Sequence, residues 1–414
     1  METKTDRIKR DIQELARFNA TPGRGLTRFS FSPEDKMARE YIKEQMEAAG
    51  LKVYQDAAGT VIGRREGTGG SLPCIMVGSH FDSVKNGGNF DGPAGVVTGL
   101  EIARVLNENG IKTKYPIEFV ALVEEEGGRF GAGLFGSRAM VGKVSEKELA
   151  ENRDENGVTT GEAMKNFGLD PRSIESAKRL PGSVKAFMEL HIEQGPVLEA
   201  AGKDIGIVNT IVGLRHYEVE ITGRPDHAGT TPMDMRADAL VLAAKVITGI
   251  NQMAKEAGEG TVATVGSLKV SPGATNIVPG RVVFTMDIRS AKEENIQAII
   301  DGAEALLEEG CYGGDLSFSI NNKIAVNPVH VPGYMTDIFK EKCEKLGFSY
   351  KEMISGAGHD AMVMAEITDS CLIFVPSKDG RSHCPEEWTD YEQIQKGAQL
   401  MLEALLEIAE VEEA

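Results

Sequence analysis

Apolar runs that stop abruptly at charged residues recur along the first half of the chain. Residues 74–78 (Cys-Ile-Met-Val-Gly) lead into Ser79-His80-Phe81-Asp82. Residues 117–123 lead into Glu124-Glu125-Glu126, and residues 184–190 lead into His191. Between the first two runs, Val96, Val97, Leu100, Ala103 and Leu106 recur at helical spacing, which predicts a helix over about 93–108. Strands that are apolar throughout, separated by helices, predict a mainly parallel sheet covered on both faces. Ahead of them, Ile8, Ile12, Leu15 and Phe18 fall on one face of an amphipathic helix. Gly67-Thr-Gly-Gly70 reads as a turn between strands.

The pattern changes between 213 and 327. It gives a strand (216–222), a long helix (236–254), two strands (261–270 and 280–289), a helix (291–309) and a strand (315–321). That order, βαββαβ, predicts a ferredoxin-like sandwich. In the strand 281–289, Val282, Phe284, Met286 and Ile288 point one way and Val283, Thr285, Asp287 and Arg289 the other. After 328 the α/β pattern resumes, with a helix at 333–346, a strand at 371–375 and a C-terminal helix from about 390. The expected architecture is therefore an α/β domain, 1–212 plus 328–414, interrupted by an inserted domain, 213–327. A chain of 414 residues suits two cores better than one.

Composition narrows the function. A net charge of −18, from 45 basic and 63 acidic side chains, argues against nucleic acid or an anionic membrane surface as partner. No apolar run is long enough to span a bilayer, and the N-terminus lacks the apolar stretch of a secretory signal. The five cysteines are odd in number and form no CxxC, which fits a reducing cytoplasm.

The polar residues that end the strands carry the candidate chemistry. Carboxyl ends of strands form the binding crevice of open α/β sheets, and His80, Glu126 and His191 are all delivered there. Asp91, in Asn89-Phe90-Asp91-Gly92, stands at a helix start, where it could cap the helix or offer a carboxylate to a metal. Asp82 could accept a hydrogen bond from the far nitrogen of His80. Glu125-Glu126 alone would read as a solvated acidic loop; beside the histidines, one acid could ligate and the other act as base. His383 lies in the loop after the last strand. His80, Asp91, Glu126, His191 and His383 form a mixed nitrogen and oxygen set suited to Zn²⁺, Mn²⁺, Co²⁺ or Ni²⁺. Gly131-Ala-Gly133-Leu-Phe-Gly136 is formally GxGxxG, but the acidic loop between it and its strand speaks against a dinucleotide.

Several stretches together resemble the amidase branch of the M20 metallopeptidases. They are Gly78-Ser-His-Phe-Asp-Ser83, Asn89-Phe-Asp-Gly92, Glu125-Glu-Gly-Gly-Arg-Phe130, His191-Ile-Glu-Gln-Gly195, Asp226-His-Ala-Gly-Thr-Thr-Pro-Met233, Thr275-Asn-Ile-Val-Pro-Gly280, Asp287-Ile-Arg289, Gly358-His-Asp-Ala361 and Ser382-His383. That branch holds N-carbamoyl-L-amino-acid hydrolases, allantoate and ureidoglycolate amidohydrolases and β-ureidopropionases. The resemblance implies two divalent ions on the five ligands, bridged by Asp91, with Glu125 as general base and Asp82 behind His80. It implies substrate contacts from Gln194, His227, Asn276, Arg289 and Gly358, with His227 also catalytic and reaching a neighbouring protomer. The inserted domain would be lid and dimerisation domain of a cytoplasmic homodimer. The implied reaction is hydrolysis of a C–N bond in a small ureido acid, an N-carbamoyl-L-amino acid or allantoate. Alternatives are a dipeptidase or aminoacylase of the wider family and a non-catalytic binding protein, although no ligand or base position is altered as the latter would require.

Overall fold

The computed structural model describes residues 1–258 and 260–411. It falls into two compact units. The first comprises Met1–Asn209, Val331–Met353 and the chain from His359; the second comprises Thr210–His330 and Ile354–Gly358.

The first unit is built on the larger sheet. Its strands are β1 (Lys52–Gln55), β2 (Val61–Arg65), β3 (Cys74–His80), β4 (Ile117–Leu122), β5 (Val184–Ile192) and β6 (Ile205–Ile211). The smaller sheet contributes β7 (Gly213–Thr222), β8 (Thr261–Thr264), β9 (Leu268–Ser271), β10 (Arg281–Ser290) and β11 (Ser317–Val326). The chain then returns to the larger sheet with β12 (Val329–His330), β13 (Tyr350–Ser355) and β14 (Asp369–Val375). The order in the larger sheet is β1-β2-β4-β3-β5-β14-β6-β12, with β13 also on β6.

Its centre is the parallel block β4-β3-β5-β14, and the flanks are antiparallel. β3 and β4 are buried along their whole length, as strands covered on both faces must be. Ile75 and Val77 of β3, Ala186 and Met188 of β5 and Ile373 of β14 share one core with Ile8, Ile12, Leu100 and Leu405. Those last four come from the helices Thr5–Leu15, Pro93–Glu108 and Tyr391–Ile408. Each of the larger of these side chains contributes roughly 1.5–3 kcal/mol on burial. Phe18 lies beyond the end of the first helix and packs on this core from the following turn. Because β4, β3, β5 and β14 run the same way, their carboxyl ends form one rim.

The second unit carries the five-stranded sheet β11-β7-β10-β8, with β9 also on β10. All its pairings are antiparallel, and the helices Ala239–Ala257 and Glu293–Cys311 complete the βαββαβ order. Along β10, Val282, Phe284, Met286 and Ile288 are buried and the alternate residues partly exposed, the expected division of faces. The expected strand over 261–270 is instead two short ones, β8 and β9, on the same edge of β10. Gly266 lies in the break, and the Thr285 amide donates to Ser267 O across it at 3.1 Å. Glycine inside a strand pattern commonly marks such an interruption. Among the described residues no helix is long and apolar enough to cross a membrane.

Candidate functional site

The rim of the parallel block gathers all five expected ligands and the expected base. β3 ends on His80, β5 carries His191 next to its last residue, and the loop after β4 holds Glu125 and Glu126. Asp91 lies between β3 and its helix. It does not cap that helix: the N-cap is Gly92, at φ 79°, with no side-chain capping bond. A Cβ on Gly92 would lie 2.4 Å from the His80 ring, so glycine is needed here both for its φ and for space.

Asp91 is the hub. Its Oδ1 lies 3.1 Å from His191 Nε2 and 3.5 Å from His80 Nε2, while its Oδ2 lies 3.1 Å from His383 Nε2. Glu126 Oε2 is 3.4 Å from His383 Nε2, and Glu125 Oε2 is 3.7 Å from His80 Nε2. The donors fall into overlapping groups whose atoms lie within 4.8 Å of one another: His80, Asp91 and His191; Asp91, Glu126 and His383; and His80, Glu125 and Glu126. His191 directs Nδ1 to Ile192 O at 2.9 Å. That bond places the ring proton on Nδ1 and leaves Nε2 with a lone pair, as a metal-bound imidazole requires.

The electrostatics fit a cation. Burial raises the pKa of Glu125 well above the ordinary carboxylate range; His80 opposes this, while Glu126, Asp360 and Asp82 add to it. Burial and then Asp91 push Glu126 up to about 8. Burial works against a charged His80, yet Glu125, Asp82 and Asp91 outweigh it and hold its pKa well above the usual value. Glu126 Oε1 is buried without a hydrogen-bond partner, which buried polar atoms rarely tolerate. This is a carboxylate-rich nitrogen and oxygen donor set, suited to divalent metal ions. Three residues at the rim, Glu124, Gln194 and His383, hold φ between 53° and 57° without being glycine. Such strain, about 1–3 kcal/mol each, is tolerated where the surroundings fix it and clusters at functional sites.

Asp82 does more than stand behind His80, whose Nδ1 is 3.5 Å away. Its two oxygens accept the backbone N–H groups of Glu125 (3.1 Å) and Glu126 (3.2 Å). It therefore fixes the acidic turn as well as facing the imidazole. Gln194 donates from Nε2 to Asp91 Oδ2 at 2.7 Å and lies 3.3 Å from His383 Nε2, against two of the expected ligands.

The remaining expected residues lie in the second unit. Arg289 holds Asp287 through Nε (2.9 Å) and Nη2 (3.1 Å) and donates from Nη1 to Gly356 O (3.1 Å). Arg289 and Asp287 thus form an ion pair on the strand surface, and two of the five guanidinium N–H groups are left over. Gly358 ends the short segment that also contains Gly356. His227 and Asn276 come together, since the Ala228 amide donates to Asn276 O at 3.0 Å and His227 bridges to Ile277. His227 Nδ1 accepts the Gly229 and Thr230 amides at 3.0 and 3.2 Å, so the neutral ring keeps its proton on Nε2, free to donate.

The glycines of 131–136 do not form a phosphate-binding turn. Their turn folds back on the acidic loop: the amides of Leu134, Phe135 and Gly136 donate to the carbonyls of Glu125, Glu124 and Val123. Amides so used are not available to a phosphate.

Sequence reasoning gave no role to several buried groups around the rim. Glu189 accepts from the Ser79 hydroxyl (2.7 Å) and the Ala361 amide (2.8 Å). The His359 ring packs 4.6 Å from His191. Glu387 accepts amides from the Asp91 turn. The only signal for Glu387 was another Glu-Glu pair, 386–387, soon after His383.

Known proteins match this chain along nearly its whole length. The family model for peptidase family M20/M25/M40 matches residues 76–407. The N-carbamoyl-L-amino-acid amidohydrolase of Paenarthrobacter aurescens is 48% identical, over 97% of both chains. The allantoate amidohydrolase of Bacillus subtilis is 36% identical, over 96% of both. A crystal structure of an amidase of the hydantoinase/carbamoylase family from Burkholderia multivorans superposes with a TM-score of 0.87 at 35% identity, covering 99% of this chain and 98% of the other.

Proposed function

Because the chain belongs to peptidase family M20/M25/M40, with the hydantoinase/carbamoylase amidases as its relatives, we propose that it hydrolyses the ureido C–N bond of an N-carbamoyl-L-amino acid or of allantoate, using two divalent ions. It is a hydrolase of non-peptide C–N bonds. The observation that carries the two-ion reading is Asp91, whose oxygens face two separate groups: His80 with His191, and His383 with Glu126. Zn²⁺, Mn²⁺, Co²⁺ and Ni²⁺ all suit these donors.

Ions held by His80, Asp91, Glu126, His191 and His383 would supply Lewis acidity to the substrate carbonyl and to the attacking water. The chain's own residues do the rest. Glu125 takes the proton of the attacking water and passes it to the leaving nitrogen. Its burial and its place beside His80 suit a base that must keep a proton between two steps. Asp82 holds the Glu125 amide and so aims that carboxylate. His227 offers Nε2–H to the developing oxyanion, a donor worth about 3–4 kcal/mol in comparable sites. Arg289 presents its two remaining N–H groups to the substrate carboxylate. Asn276, Gln194 and Gly358 are the further substrate contacts. For an N-carbamoyl amino acid, water adds to the carbamoyl carbon, the bond to the amino-acid nitrogen breaks, and the carbamate falls to carbon dioxide and ammonia.

The second unit is the proposed lid and dimerisation domain, and a second copy of the chain the proposed partner. Supporting this, Val241, Val262 and Leu268 are exposed on its helix and edge strands, and β8 and β9 offer an unpaired edge. A reducing cytoplasm would keep the five cysteines as the free thiols they are here. A paired assay tests the substrate: ammonia release from N-carbamoyl-L-methionine and from allantoate by metal-loaded protein. Turnover of at least one is expected. Silence on both, or a dipeptide turned over equally well, would overturn the proposal.

A further inference from the structure

Buried carboxylates support the rim through main-chain amides. Asp82 accepts from Glu125 and Glu126, and Glu193 from Val197 and Leu198. Glu387 ties the loop that carries Asp91 to the loop that carries His383. It is 4% exposed. Its Oε1 accepts the N–H of Phe90 at 3.0 Å and of Asp91 at 3.1 Å, and its Oε2 accepts the Ser382 hydroxyl at 2.8 Å. Ser382 Oγ also lies 3.1 Å from Asp91 Oδ2, and Ser382 is the residue before His383. One side chain thus grips the backbone of Asp91 and the neighbour of His383 together.

The turn before Asp91 is shaped around the Glu387 carboxylate. A Cβ on Gly88 would lie 2.1 Å from Oε1, so the turn passes close against the carboxylate. Phe90 is pinned on the other side by the Trp388 ring, edge-on at 5.2 Å. A buried carboxylate that turned away from its donors would lose them without gaining water.

We propose that Glu387 is a positioning residue that sets the separation of Asp91 from His383, and through it the affinity for the cation those two residues share. This rests on the metal reading above. Charge is not the essential property; reach is. Glu387→Gln would keep the full length, with an amide oxygen to accept both N–H groups and an amide N–H to donate to Ser382 Oγ. Glu387→Asp would keep the charge but fall a methylene short.

The test compares wild type, E387Q, E387D and E387A in zinc affinity, by competition with a chelator, and in hydrogen exchange of the Phe90 and Asp91 amides in metal-free protein. E387D is expected to bind zinc roughly 10–100-fold more weakly, the usual effect of disturbing residues that orient metal ligands, and to exchange those amides faster. E387Q should stay close to wild type on both readouts. E387A should resemble E387D, and if it fails to fold the Gln and Asp pair still decides. E387D equal to wild type, or E387Q as weak as E387D, would overturn the inference. A wild-type protein that binds no zinc or other divalent ion would instead overturn the metal reading itself.

Discussion

Glu125→Gln is expected to lower kcat by roughly 10²- to 10⁴-fold, the range general acid–base groups supply, while leaving the metal content unchanged. The reason lies in the division of labour within the acidic turn. Glu126 Oε2 is 3.4 Å from His383 Nε2 and belongs to the Asp91 and His383 group. Glu125 instead faces His80 at 3.7 Å. Glutamine keeps the shape of Glu125, and the Asp82 bond to the residue 125 amide is a backbone bond that the substitution preserves. What it loses is the ability to take and return a proton. Glu126→Gln should differ, with weaker metal binding and loss of activity that excess metal partly restores. Steady-state kinetics with metal analysis on both variants checks the contrast. Metal loss in Glu125→Gln, or a kcat close to wild type, would contradict the assignment.

Arg289→Ala is expected to cost kcat/KM about 1.5–3 kcal/mol, the range for hydrogen bonds to a charged group, again with metal content unchanged. Arg289 is held by Asp287 and by Gly356 O, so its guanidinium is oriented before substrate arrives, and little ordering remains to be done on binding. Lysine cannot copy a planar fork with donors on three nitrogens, so Arg289→Lys should recover little. The decisive control is a substrate analogue lacking the carboxylate. Wild type and Arg289→Ala should handle it equally poorly. A large effect of the substitution on that analogue would mean that Arg289 supports its strand through Asp287 and has no part in recognition.

The candidate site was legible in the sequence where strand ends determine it. His80, Glu126 and His191 are delivered by buried strands whose apolar runs are unmistakable, and parallel pairing then brings their ends to one rim. The alternation of Val282 to Ile288 likewise gave β10 its faces. Other features depend on contacts that no local pattern carries. β8 and β9 read as one strand because Val262, Val265, Leu268 and Val270 look continuous across Gly266. β1, β2, β6, β12 and β13 flank the parallel block and went unassigned; β1 and β2 are short and only partly apolar. Glu387 meets its amide partner Phe90 across 297 positions of sequence, and Glu189 meets Ala361 across 172. The residues that would touch the metals were therefore readable, and most of those that hold them in place were not.

The most direct test of the central claim is a metal titration of chelator-stripped protein, followed by ammonia release from its ureido substrate. Two donor groups sharing Asp91 predict no activity without metal and a rise that saturates near two equivalents of divalent ion per chain. Full activity in the stripped protein, or saturation at a single equivalent, would contradict it.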